Sequence, residues 1–294
     1  MKYKTMGYRF FSVINCVFLA LLAFVCFYPF YYVVVASVSN PDDLIKFSGL
    51  LYKPLGAPTL DGYRLVFREK LVLSGFMNTL IILVVGLAFN MLLTVVGAYV
   101  LSLRELLLRK PLTILVVVTM YFNGGLIPTY LNVRSLGMLD TLWALILPGA
   151  ISTGNLIIMR SAFMGVPHSL VEAAKIDGAS YGRILAQIML PLVKATLAVL
   201  VLYYSVGHWN SWFPASIYLR TNSLFPLQLV LRNILIEGTQ TSEMMSDIGA
   251  SKSPQVLQLI RYSLIVVSSV PIIIIYPFLQ RFFEKGVTVG AVKG

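Results

Sequence analysis

The stretch 71–103 reads LVLSGFMNTLIILVVGLAFNMLLTVVGAYVLSL, without one Asp, Glu, Lys or Arg. At about 1.5 Å per helical residue it exceeds the roughly 20 residues that cross a hydrocarbon core of about 30 Å. Val84-Val85-Gly86-Leu87-Ala88-Phe89 shows no alternation of apolar and polar residues, which argues against a strand of a transmembrane barrel. A charge at the centre of a spanning helix costs roughly 2.5–3.5 kcal/mol, so charge-free gaps mark the spans. Working outward, the other long gaps are 10–41, 111–133, 141–159, 195–219 and 262–280.

The composition agrees. Of 294 residues 58% are hydrophobic and 12% charged, and the mean hydropathy of +0.83 is too high for a soluble domain of this length. These observations predict an all-α membrane protein with about six transmembrane helices, near 14–37, 76–102, 112–132, 142–159, 195–213 and 262–280, in a single domain covering 1–294. The first apolar run is too long for a secretory signal, and Cys26-Phe27-Tyr28-Pro29 offers no small-residue cleavage site. Cys16 and Cys26 are too far apart on that helix for a disulfide and lack metal-ligand spacing.

With six spans both termini lie on one side, together with 104–110 and 160–194. That side carries 13 Lys and Arg against 10 on the other, in a shorter total length, and only 4 of the acidic residues against 8. The positive-inside rule therefore expects both termini in the cytoplasm. The net charge of +11 is scattered at span ends, with no aromatic-interleaved basic cluster of the kind that binds nucleic acid. On the opposite side a long segment, 220–261, is expected to face outward and to be available to a delivery protein.

The longest segment on the basic side is 166–191. Ser169 with Glu172 three residues later has the form of a capping box, predicting a helix from about Leu170. Asp177-Gly178 supplies a terminator, a second helix is expected over 179–189, and Pro191 is expected to kink the chain before the fifth span. The product is a helix, a sharp turn and a helix outside the membrane.

Glu-Ala-Ala, three residues, Gly, nine residues, Ile, one residue, Leu-Pro resembles the cytoplasmic motif of binding-protein-dependent ATP-binding-cassette (ABC) importer permeases. Glu172, Ala173, Ala174, Gly178, Ile188, Leu190 and Pro191 match it at every position, with Asp177 beside the glycine. The resemblance implies a type I ABC importer permease fold in which this segment is a coupling helix that docks on a separate ATPase. Asn78-Thr79-Leu80, Phe122-Asn123-Gly124-Gly125-Leu126-Ile127-Pro128, Ile176-Asp177-Gly178-Ala179 and Gly290-Ala291-Val292-Lys293-Gly294 look like the sugar permeases similar to the smaller maltose-transporter permease, and within them the complex-saccharide subgroup. Membership implies a bacterial cytoplasmic-membrane location. It also implies a second homologous permease, two ABC ATPase subunits that hold ATP and Mg, an extracytoplasmic solute-binding protein and a saccharide substrate.

The chain has no Gly-rich phosphate loop ending in Gly-Lys-Ser or Gly-Lys-Thr, so energy is expected from a partner; no cofactor, metal site or catalytic residue is expected here. His168 and His208 lack carboxylate or Cys companions at ligand spacing. Tyr203, Tyr204, Trp209, Asn210 and Trp212 have two readings, an aromatic belt at the membrane surface or a saccharide path in which rings stack on sugar faces and amides bond hydroxyls. Asn90, Asn123 and Asn155 lie within spans, either on the same path or as interhelical hydrogen-bond contacts. Two other solute-carrying classes are weighed against a sugar permease. An ion-coupled secondary transporter needs ionisable groups inside the membrane, which the gaps lack. An ABC permease for a non-sugar solute, such as an amino acid or a metal, shares the motif.

Overall fold

The computed structural model describes the backbone of residues 6–236 and 254–291, and the side chains of these apart from 6, 9 and 276–291. Residues 1–5, Glu237, the stretch 238–253 within the segment expected to face outward, and the closing Val292-Lys293-Gly294 lie outside the described residues. All regular elements among the described residues are helical. In chain order they are α1 (Met6–Ser37), α2 (Pro41–Lys46), α3 (Asp61–Arg68), α4 (Lys70–Ser102), α5 (Arg109–Tyr121), α6 (Leu126–Ser135), α7 (Trp143–Ile146), α8 (Thr153–Met164) and α9 (His168–Ile176). There follow α10 (Tyr181–Ile184), α11 (Leu190–Leu192), α12 (Lys194–Trp209), α13 (Phe213–Tyr218), α14 (Leu227–Ile236) and α15 (Pro254–Ala291).

Three helical stretches, Phe10–Ser37, Lys70–Ser102 and Pro254–Ile275, are long and apolar enough to cross a membrane, and the number rises to five if each of two bent pairs is one span. The expected span 112–132 is one such pair: α5 and α6 meet at 112°. The cause is Phe122-Asn123-Gly124-Gly125, where Gly125 has φ +90, a conformation side chains disfavour, and Oδ1 of Asn123 accepts the Gly125 N–H at 3.0 Å. The expected span 142–159 is divided too. Pro148-Gly149 separates α7 from α8, and α8 restarts under Ser152, whose Oγ accepts from the Asn155 N–H.

Backbone that leaves a helix at membrane depth is tolerated only where protein satisfies its polar groups. Around 147–152 two spans do so. Nδ2 of Asn90 on α4 donates to the carbonyls of Gly149 (3.0 Å) and Ala150 (2.9 Å). From α12, the Tyr204 hydroxyl accepts the Ser152 N–H at 3.0 Å and shares a 2.7 Å hydrogen bond with Thr94.

The chain, read from sequence as one membrane domain, clusters into two compact units: Met1–Lys70 with Asn233–Val270, and Leu71–Arg232 with Pro271–Gly294. In the first, Val35, Ala36, Leu44 and Leu51 form the core, with Tyr32 and Tyr262 packed against it. Gly62 on α3 approaches Ser263 and Leu259 of α15 so closely that a Cβ would collide with both. In the second, Tyr99, Leu156, Met159, Phe163, Ile184, Met189 and Leu200 belong to one cluster, which carries the helix-turn-helix described next.

Candidate functional site

α9 starts at His168, two residues before the expected Leu170. Pro167 occupies its cap position with φ −56 and makes no side-chain cap, so the capping box of Ser169 with Glu172 does not form. Proline sets a helical φ by itself, which places Ser169 inside the first turn instead of in front of it. Glu172 turns back to His168, with Oε1 2.8 Å from Nδ1, so that His168 has the carboxylate neighbour its sequence context did not suggest.

The far end of α9 follows expectation. Gly178 has φ +76; its N–H donates to the Lys175 carbonyl at 3.0 Å, and the Ala179 N–H reaches the Ala174 carbonyl at 2.9 Å. This is a Schellman closure, the hydrogen-bonded form of a left-handed helix stop. No atom lies within 4 Å of a Cβ built on Gly178, so backbone conformation and not crowding demands glycine.

Ser180 caps the second arm by accepting the Arg183 N–H at 3.4 Å. α10 widens into a π-helical turn over Leu185–Met189 and continues as α11 to Leu192, so the helical stretch runs past the expected 189. Pro191 lies inside it, and the break falls at Val193, after which α12 departs at 85°. A proline ring crowds the carbonyl four residues back, and a π turn just upstream displaces that carbonyl, so the chain bends after Pro191 instead of at it.

The motif residues sort onto two faces. Glu172, Ala173, Asp177, Gly178 and Pro191 are exposed, and the neighbouring Ile176 is 87% exposed. Ala174 is buried, and Ile188 and Leu190 pack against the cluster that holds Ile184, Met189, Phe163 and Tyr99. One face anchors the segment and the other is presented.

A residue that sequence reasoning passed over completes the site. Glu105, in the connection between α4 and α5, accepts hydrogen bonds from the Lys175 ammonium of α9 and, at 2.8 Å, from the Tyr181 hydroxyl of α10. The ammonium also lies 5.1 Å from the centre of the Tyr181 ring. The bond from Lys175, then that from Tyr181, holds the Glu105 carboxyl below the usual range, and the same bond raises Lys175. The only sequence signal was a lone acid among Arg104, Arg109 and Lys110.

The residues named for a solute path are dispersed in kind. Tyr204 is buried and engaged by Thr94 and Ser152, and Trp209 is buried edge-on to Phe76 at 6.0 Å. Asn155 is buried one turn into α8, while Asn123 caps the α5–α6 break. Asn210 is the exposed C-cap of α12. Trp212 is 37% exposed, set against Phe213 and beneath the Arg232 guanidinium at 4.6 Å. Asn90 is an interhelical contact. Elsewhere, Asp140 takes φ +58, and its carboxylate accepts from the N–H groups of Arg220 and Thr221 and from the Thr221 hydroxyl. These bonds, that of the Thr221 hydroxyl first, lower its carboxyl. Among the described residues no group of three or more His, Cys, Asp or Glu is placed to hold a metal.

No family model matches the chain. The polygalacturonan/rhamnogalacturonan transport system permease protein YtcP of Bacillus subtilis (strain 168) is 40% identical over 286 residues, 97% of this chain and 99% of that protein. The chain belongs to the permease subunits of carbohydrate ABC importers. Protein LplC of the same organism is 39% identical over 292 residues, 99% of this permease and 98% of the relative. Among solved structures, a bacterial ABC transporter involved in the import of the acidic polysaccharide alginate matches with a TM-score of 0.88 and 30% identity, covering 96% of this permease and 100% of that chain. The permease is thus an integral membrane protein and not an enzyme: in this family ATP is hydrolysed by separate ATPase subunits, and a solute-binding protein works with them.

Proposed function

We propose that this permease forms half of the translocation path of an ATP-driven, binding-protein-dependent importer in a bacterial cytoplasmic membrane, and that α9 docks on the ATPase. The observation that carries the docking is the exposed face of α9: Glu172, Ala173 and the 87% exposed Ile176 lead to a left-handed glycine while Val171 and Ala174 turn inward to the apolar cluster. An exposed isoleucine on a short helix at the end of a membrane bundle has a reason to exist if a partner covers it. The assembly then comprises a second homologous permease, two ATPase subunits holding ATP and Mg, and an extracytoplasmic solute-binding protein, with both termini of this chain in the cytoplasm.

The substrate class we propose is oligosaccharides of acidic polysaccharides. One relative is named for polygalacturonan and rhamnogalacturonan, and the similar solved transporter for alginate; polygalacturonan, like alginate, is built of sugar carboxylates. The complete complex in proteoliposomes, with ATP at the ATPase side and the binding protein opposite, is offered uronate oligomers, neutral glucose oligomers of equal length, and amino acids. ATP-dependent uptake of the uronate oligomers is expected. Uptake of the neutral oligomers alone would replace the acidic class with a neutral one, and uptake of amino acids alone would remove saccharides.

A further inference from the structure

The helix-turn-helix of α9 and α10 is held at both of its arms by one side chain from another part of the chain. The carboxylate of Glu105 has two oxygens, and each has its own donor: Oε1 takes the Lys175 ammonium from α9, and Oε2 takes the Tyr181 hydroxyl from α10. These donors lie on either side of the Asp177-Gly178 turn, so the carboxylate closes the turn into a triangle whose third corner is the end of α4. The Arg160 guanidinium, on α8, donates to the Leu101 carbonyl at 3.0 Å and ties α8 to the same end of α4. In the first third of α4, Nδ2 of Asn78 donates to the Ser223 carbonyl at 2.7 Å, and Oγ1 of Thr79 accepts the Leu227 N–H at 2.9 Å. A helix from Lys70 to Ser102 is about 50 Å long and stiff along its axis.

Resting on the docking of α9 proposed above, we propose that Glu105 is the positioning residue that passes displacement of the helix-turn-helix into α4, and through Asn78 and Thr79 into the connection 219–226 and the start of α14. Exposed ion pairs contribute little to stability. The pair here serves geometry: two charge-assisted bonds on one carboxylate fix direction as well as distance. Apolar packing alone would let α9 slide over Phe163 and Met189; the carboxylate resists that motion. Glu105 touches neither solute nor nucleotide in this role.

The test uses the complete complex in proteoliposomes, in a background lacking Cys16 and Cys26, with Cys at Ala173 to report docking by cross-linking to the ATPase. Glu105→Gln is expected to keep the cross-link yet lower solute moved per ATP hydrolysed by about three- to tenfold, the scale of a few charge-assisted contacts. Tyr181→Phe, which removes one donor and keeps the ring, should give a smaller loss of the same kind. Glu105→Lys should be worse than Glu105→Gln, and combining it with Lys175→Glu should restore most of the efficiency. A merely structural role would lower assembly and cross-link yield together, leave the ratio of transport to hydrolysis unchanged, and overturn the proposal. An unchanged ratio in Glu105→Gln with the cross-link intact, or a charge exchange no better than the single variant, would also overturn it. Absence of the cross-link in the complex with Glu105 intact is a separate result: it removes the docking of α9 itself and this proposal with it.

Discussion

Oδ1 of Asn90 lies 2.6 Å from Nε2 of His208. Because Nδ2 of Asn90 is already donated to the Gly149 and Ala150 carbonyls, Oδ1 is an acceptor and Nε2 of His208 carries the proton. Gly86, one turn before Asn90 on α4, makes room for that ring: a Cβ there would sit 2.7 Å from Nε2. Three segments of the bundle therefore meet at one amide. Asn90→Leu should destabilise the permease by about 1–2 kcal/mol, since two carbonyls and a ring N–H lose their partner together. A thermal midpoint in detergent equal to that of the unmodified protein would show that the amide does not clamp the 147–152 break.

Trp209 and Trp212 should separate stability from transport. Trp209 is 4% exposed against Phe76, so Trp209→Ala should cost about 3 kcal/mol by opening a cavity. Trp212 is 37% exposed under Arg232, and Trp212→Ala should leave the thermal midpoint nearly unchanged while changing uptake at limiting solute several-fold. Wild-type uptake by Trp212→Ala would favour the aromatic-belt reading.

The sequence made some of this legible for reasons visible in single residues. Long charge-free gaps marked α1 and α4 directly, because apolar length is a one-dimensional property. The turn at Gly178 was readable because glycine is the residue that most readily takes a left-handed helix stop. The divided spans were not readable: hydropathy averages straight over Asn123-Gly124-Gly125 and Pro148-Gly149, and satisfaction of those breaks by Asn90 and Tyr204 is tertiary. Glu105 was missed for the same reason. It lies 70 residues from Lys175 and 76 from Tyr181, with no local pattern joining them.

Gly178 should tolerate Asn far better than Val. Its φ of +76 costs a β-branched residue at least about 1–2 kcal/mol, whereas Asn enters the left-handed region more readily. Gly178→Val is expected to insert and assemble but to move little solute and respond poorly to loaded binding protein; Gly178→Asn should keep most transport. Equal uptake by the two variants, at the level of the unmodified complex, would mean the turn geometry does not matter to coupling.

The 13 to 10 division of basic residues predicts, by the positive-inside rule, that both termini face the cytoplasm. With Cys16 and Cys26 replaced, single Cys residues at Glu172, Thr239 and Lys293 are treated on intact cells with a membrane-impermeant thiol reagent. Only position 239 should be modified. Modification at 172 but not at 239 would invert the topology.

The coupling assignment meets its most direct test at Ala173, an exposed position on the presented face of α9. A Cys there, in the assembled complex with a Cys scanned over the apolar surface of the ATPase, should form a cross-link whose yield changes between nucleotide-free and ATP-bound states, while a Cys at Thr239 should form none. No capture from 173 in a complex that still transports solute would contradict the assignment of α9 as the coupling helix.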